Sequence, residues 1–215
     1  MTGRPPLVVV VYGPPGSGKS TLAGALAARL RLTHFDKDEF KDLLLERLGV
    51  SDHTWSARVG SASWELLVLC TDRLLRSGVS LVIESNVRPD APIVGQLGLI
   101  AETVPATVLG VYLSAHDTVL WERFDRRRSG GSHPGHVGYE RRGEFVAALA
   151  TAAHGPIDFG GPTFHLDTST PRRRGPTRRR WPTGSPPVAM AARAPHTNSR
   201  DARGPWAGSA NWRRP

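Results

Sequence analysis

The chain has 215 residues, a net charge of +9 and one cysteine, Cys70. That length suits one well-cored domain, and the absence of an apolar run near ~18 residues excludes a membrane span. A lone cysteine excludes an intrachain disulfide or a thiolate metal cluster, and its setting LLVLC predicts a buried small side chain. The basic charge is not spread evenly: residues 1–170 carry 17 Lys+Arg against 18 Asp+Glu, whereas residues 171–215 carry 11 against 1.

In chain order, the apolar run Leu7–Tyr12 predicts a core strand. It leads straight into a glycine-rich loop and is too short for a secretory signal, so a cytoplasmic location is expected. Residues 13–21 then read GPPGSGKST, a complete phosphate-binding loop. Gly13, Gly16 and Gly18 permit backbone angles that let successive N–H groups converge on phosphate oxygens at the positive end of the next helix. The whole segment Gly13, Pro14, Pro15, Gly16, Ser17, Gly18, Lys19, Ser20 and Thr21 is expected to hold a nucleotide triphosphate. Lys19 reaches the β- and γ-phosphates, Ser20 offers its hydroxyl to Mg²⁺, and Thr21 extends the helix start. The bland alternative is a plain glycine-rich turn.

Helical spacing of Leu22, Ala25, Leu26 and Leu30 predicts a helix over 19–31. A weaker strand is expected at Leu32–Asp36, followed by a helix at Asp38–Leu48 with Phe40, Leu43, Leu44 and Leu48 on one face. A long helix over Trp55–Arg76 ends at Gly78, which suits a C-terminal cap. Further strands are expected at Val79–Glu84, Thr107–Leu113 and Thr163–Leu166, and helices near Pro89–Glu102, His116–Arg128 and Tyr139–Ala153. Strands alternating with helices predict an α/β three-layer sandwich around a mainly parallel sheet of about five strands. In such a sheet ligands bind at the carboxyl ends of the strands. The candidate residues fall there: the phosphate loop, Asp36 and Asp38, Glu84, Ser85 and Asn86, and Ser114 each follow a strand.

Phosphoryl transfer to a hydroxyl needs a carboxylate beside the acceptor, cations over the migrating group and a contact that holds the acceptor in line. In HFDKDEFKDLL (34–44), Asp38 is the expected base and Lys41 an acceptor-binding cation. Asp36 is a further acceptor-side carboxylate, although Asp36 or Asp38 also suits a plain helix N-cap. The run WERFDRRRSGG (121–131), bearing Arg123, Arg126, Arg127 and Arg128, predicts an arginine-rich lid whose arginines stabilise charge on the transferred group, against the alternative of a solvated helix end. Glu84 is expected to contact a Mg²⁺-bound water or the acceptor. His133 and His136 make a poor metal site without a cysteine or carboxylate pair, and a lid or acceptor-side loop is expected there.

Together, GPPGSGKST, KDEFK, LVIESNVRP and ERFDRRRSGG resemble the small P-loop kinases, notably the kinase domain of phage-type polynucleotide 5′-kinases and the zeta-toxin-like ATP-binding proteins of the wider AAA type. The resemblance spans roughly residues 7–168. It implies Asp38 as general base, Lys41 in the acceptor-phosphate position, Glu84, Ser85 and Asn86 in place of an Asp-Thr-Asn triplet, and Arg123 and Arg127 as lid arginines. Lysine at 41, where that family has arginine, loses bidentate phosphate grip, so a small-molecule hydroxyl is at least as well matched as a polynucleotide end.

Residues 171–215 begin PRRRGPTRRRWP and show no strand or helix period. They are expected to form a separate, disordered basic tail beyond a kinase domain of residues 1–170. The tail is either a polyanion-binding arm or a segment that was never selected, such as the product of a shifted reading frame. The leading expectation is an ATP- and Mg²⁺-dependent kinase acting on a metabolite, nucleoside, antibiotic or polynucleotide hydroxyl. The alternatives are an ATP-binding regulator or hydrolase with no dedicated acceptor, and a nucleic-acid-binding protein led by its tail.

Overall fold

The computed structural model describes residues 5–130, 139–152 and 154–170. His133, His136, the glycine at the end of the expected lid and the whole of 171–215 lie outside the described residues. The strands are β1 (Leu7–Tyr12), β2 (Thr33–Asp36), β3 (Leu81–Ser85), β4 (Thr107–Ser114) and β5 (Thr163–Asp167). The helices are α1 (Lys19–Leu30), α2 (Lys37–Leu48), α3 (His53–Arg76), α4 (Pro92–Thr103), α5 (Asp117–Ser129) and α6 (Arg142–Thr151).

All five strands pair in parallel, in the order β2-β3-β1-β4-β5. The valines of β1 explain its central place, because a strand covered by helices on both faces needs apolar side chains at every position. Val8, Val10 and Tyr12 join Leu67 and Leu75 of α3 and Ile93, Leu97 and Ile100 of α4. Val9 and Val11 point the other way, against Ala23 and Ala27 of α1. Each fully buried valine contributes about 1.5–3 kcal/mol. The small alanines let α1 lie close to the sheet and set the phosphate loop directly over its carboxyl edge.

Element ends differ from expectation where local turns take over. Gly78 adopts φ 74 and caps α3, with the Val79 N–H donating to the Leu74 carbonyl at 2.9 Å. This cap consumes Val79, so β3 starts at Leu81. A turn from Arg88 to Ala91 delays α4 to Pro92. Tyr139 precedes α6 and packs its ring on Phe145 and Phe124. Cys70 is half-buried and not fully enclosed.

The segment between α6 and β5 is pinned across the sheet. The Ile157 N–H donates to the Tyr12 hydroxyl at 2.7 Å, and the Phe159 ring meets the Tyr12 ring edge-on. The residues just before it, including His154, are thereby held beside the carboxyl ends of β1 and β3.

Candidate active site at the strand ends

The phosphate loop joins β1 to α1 with positive φ at Gly13, Gly16 and Gly18. At Gly16 a Cβ would also overlap the Leu120 carbonyl of α5, so the loop touches the arginine-bearing helix through bare backbone. Ser17 is buried and its N–H donates to the Pro14 carbonyl at 3.2 Å. Lys19 is only 8% exposed, and its ammonium donates to the same Pro14 carbonyl at 3.1 Å. Burial pushes that ammonium below the usual lysine range, while the carboxylates of Glu84 and Asp38 pull it back. A cation held over its own loop is placed to trade one carbonyl for phosphate oxygens.

Two carboxylates face this lysine from adjacent strands. Asp36 and Glu84 are register partners at the ends of β2 and β3. Glu84 is 3% exposed, and its Oε2 has no hydrogen-bond partner among the described residues. Desolvation, then the neighbouring Asp36 charge, raise its carboxyl to about 8, with Lys19 and the Ser20 hydroxyl acting in the opposite sense. Asp36 also N-caps α2, its Oδ1 accepting from the Asp38 N–H at 2.8 Å. The capping role considered for this pair therefore falls to Asp36, and Asp38 lies within the first turn. The Asp38 side chain is 51% exposed and pairs with Lys37 at 2.7 Å.

Beyond Asp38 opens a cleft of about 520 Å³ between α2 and α3, walled in part by Lys37, Lys41, Ser56, Trp64 and Gln96. The Lys41 ammonium donates to Ser56 at 2.9 Å. Burial and the nearby Lys37 charge lower it from the ordinary lysine value. Lys37 lies 5.8 Å from the Trp64 ring centroid, a cation–π distance. The cleft thus combines an aromatic wall with ammonium groups.

The two lid arginines part company. Arg123 donates to the Thr168 hydroxyl at 3.1 Å and to the Thr168 carbonyl at 2.7 Å, and Thr168 in turn donates to the Ser17 carbonyl at 3.0 Å. It braces the phosphate loop from outside. Arg127 is exposed and lies over the Phe124 ring at 6.0 Å, and its charge reaches Lys19. Asn86 is exposed just past β3 and lines a smaller cavity with Arg88 and His154.

Trp64, Arg88 and His154 escaped the sequence reading. Arg88 stands inside LVIESNVRP but was given no role there, while Trp64 and His154 lie outside every quoted motif; the i, i+4 spacing of Gly60 and Trp64 on α3 is the one signal that points to Trp64. Among the described residues no cluster of three His, Cys, Asp or Glu forms a metal cage, and no helix is long and apolar enough to cross a membrane. The residues nevertheless fit a hydrated Mg²⁺ beside bound phosphates: the exposed Ser20 hydroxyl and the orphaned Glu84 oxygen offer hard oxygen donors at the loop.

Comparison with known proteins agrees with this architecture. The family model described as an AAA domain matches residues 8–150. A crystallised candidate kinase from Chloroflexus aurantiacus J-10-fl is 35% identical, covering 79% of this chain and 91% of its own, at a TM-score of 0.71. Kti12 of Chaetomium thermophilum, solved with ADP-AlF3, is 21% identical over 76% of this chain and 89% of its own, at a TM-score of 0.54. A chain of the Pnkp1/Rnl/Hen1 RNA repair complex matches 70% of this chain and 45% of its own at 16% identity, with a TM-score of 0.51. No curated protein sequence matches the chain.

Proposed function

This chain belongs to the AAA domain family and has the fold of the small P-loop kinases, and from that premise we propose that it is an ATP-dependent kinase transferring the γ-phosphoryl group to a hydroxyl acceptor. The observation that carries the reading is the meeting of a phosphate loop and a second, cation-lined cleft at one carboxylate. The Asp38 charge, on α2, acts on both the Lys19 and Lys41 ammonium groups. A protein that only bound nucleotide would need the loop alone.

In this reading the loop amides and Lys19 hold the β- and γ-phosphates, and Lys19 follows the charge onto the transferred group. Asp38 orients the acceptor hydroxyl for in-line attack and takes its proton, while Lys37 steadies the carboxylate. Lys41 holds the acceptor against the Trp64 wall, with Asp36 and Asn86 bordering it. Arg127, exposed above Phe124, neutralises charge on the migrating group, and Arg123 acts through Thr168 on the loop. Ser20 and Glu84 would hold Mg²⁺, which when bound would supply positive charge to the phosphates. The acceptor is a metabolite, nucleoside or antibiotic hydroxyl ahead of a polynucleotide end, because Lys41 offers a point charge and no bidentate fork. Residues 1–170 form the kinase domain and 171–215 a separate basic segment.

A transfer screen with labelled ATP against metabolites, nucleosides, aminoglycosides and 5′-hydroxyl oligonucleotides tests this. One labelled acceptor, with label lost in Lys19→Ala, is the expected result. ATP turnover with no labelled acceptor would favour the hydrolase reading.

A further inference from the structure

A second cavity, of about 280 Å³, lies along the same segment after β3 whose Ala91 lines the Lys41 cleft, and of its walls the transfer chemistry above uses only Asn86 and the phosphate loop. Its walls are Pro15 of the loop, Asn86 and Arg88 after β3, Tyr139, one face of α6 including Thr151, and His154. The wall contains no carboxylate. Arg88 is the one permanently charged residue among the walls described, and among the described residues that guanidinium pairs with the exposed Asp90, at 3.3 Å. The His154 Nδ1 is buried with no hydrogen-bond partner among the described residues. Burial, then the positive charges of Lys19 and Arg88, depress the His154 imidazole to about 4, so it is neutral at pH 7. Asn86, Tyr139 and one nitrogen of neutral His154 supply hydrogen-bond donors beside Arg88, whereas the Thr151 hydroxyl donates to the Ala147 carbonyl at 2.9 Å.

Such a space is completed by an anion, because charge-assisted bonds from a guanidinium and neutral donors offset the loss of hydration. We propose that this cavity is an oxyanion subsite that holds a carboxylate or phosphate carried by the acceptor, with Arg88 as its anchor. The inference rests on the kinase reading for the identity of the ligand, and the cavity walls put the anion beside Pro15 of the loop. Among the acceptors proposed above, this favours an acid or phosphate ester that bears the reacting hydroxyl over neutral sugars and nucleosides.

The test uses the full chain saturated with ADP and Mg²⁺, so that the phosphate loop is already filled. The His154 ring signal, assigned by its loss in His154→Gln, is followed by NMR as glycerate, glycerol 3-phosphate or glycerol is added. The expected result is a saturable shift with one or both anions, an upward move of the His154 titration from about 4, and no shift with glycerol. A response to glycerate alone assigns the subsite to carboxylates, and a response to glycerol 3-phosphate alone assigns it to phosphates. Arg88→Gln should weaken that binding at least tenfold, Arg88→Lys should restore part of it, and ADP affinity should report that both variants are folded. An unmoved His154 ring, an equal response to glycerol, or undiminished binding by Arg88→Gln overturns the proposal. A ring that moves on adding ADP and no further with either anion overturns it too, because the positive field then belongs to the nucleotide. None of these readings needs turnover, so a failure here is separate from a failure of the transfer screen.

Discussion

The nucleotide side and the acceptor side of this molecule are built from different materials. The phosphate loop is made of backbone: three glycines at positive φ and a buried lysine bonded to the loop's own carbonyl. The cleft between α2 and α3 is made of side chains, with Lys37, Lys41, Ser56 and Trp64 contributed by two helices. Backbone geometry admits few substitutions and recognises what every triphosphate shares. Side chains on helices exchange freely, so in the proposed kinase the generic half of the reaction rests on conformation and the particular half on composition.

Variants that touch one side should therefore leave the other measurable. The largest effect is expected from Lys19→Ala, a loss of about 10³-fold or more in transfer rate, measured with saturating ATP and acceptor. Asp38→Asn should lower kcat by about 10²–10³-fold while the KM for ATP stays within about twofold. If it transfers phosphate at the unmodified rate, Asp38 is not the base. Lys41→Ala should raise the acceptor KM by about 10-fold, the worth of one charge-assisted hydrogen bond, with the KM for ATP unmoved. A matching rise in both KM values would erase the division between the two sides.

A separate effect, on stability and not on rate, comes from Glu84. The folded Glu84 carboxyl sits at about 8 against an ordinary value of 4.5. Because the folded value is raised, the native state holds an extra proton between these limits. The stability of the nucleotide-free protein then falls as pH rises through that window and levels off above about 8. Glu84→Gln should flatten this slope, so its Tm relative to the unmodified protein should climb from pH 5 to pH 8. Equal slopes in thermal melts would show that Glu84 is not the buried proton site.

The alternation of strands and helices was legible because it depends on local patterns: the β1 valines demand burial on both faces, and Gly78 marks a helix end. The boundary shifts at Val79 and Pro92 came from turn hydrogen bonds that periodicity does not register. Within the site, the loop was readable since its chemistry is contiguous, as was the Asp36–Asp38 junction, although which of the two caps α2 was not. Trp64, Arg88 and His154 were not readable. Their meaning arises from apposition across α2 and α3, or across β3 and the segment after α6, and nothing in their immediate neighbours encodes that. Arg123 illustrates the same limit. In sequence it matches its neighbouring arginines, and only the fold directs it to Thr168.

That Thr168 latch has a consequence for how the protein is made. Its hydroxyl reaches the Ser17 carbonyl across 151 positions of chain. During synthesis the loop leaves the ribosome long before the strand that braces it, and domains consolidate as units. A nascent chain lacking β5 therefore carries the complete GPPGSGKST motif without its brace. The brace on the loop is therefore set only once the last strand has docked.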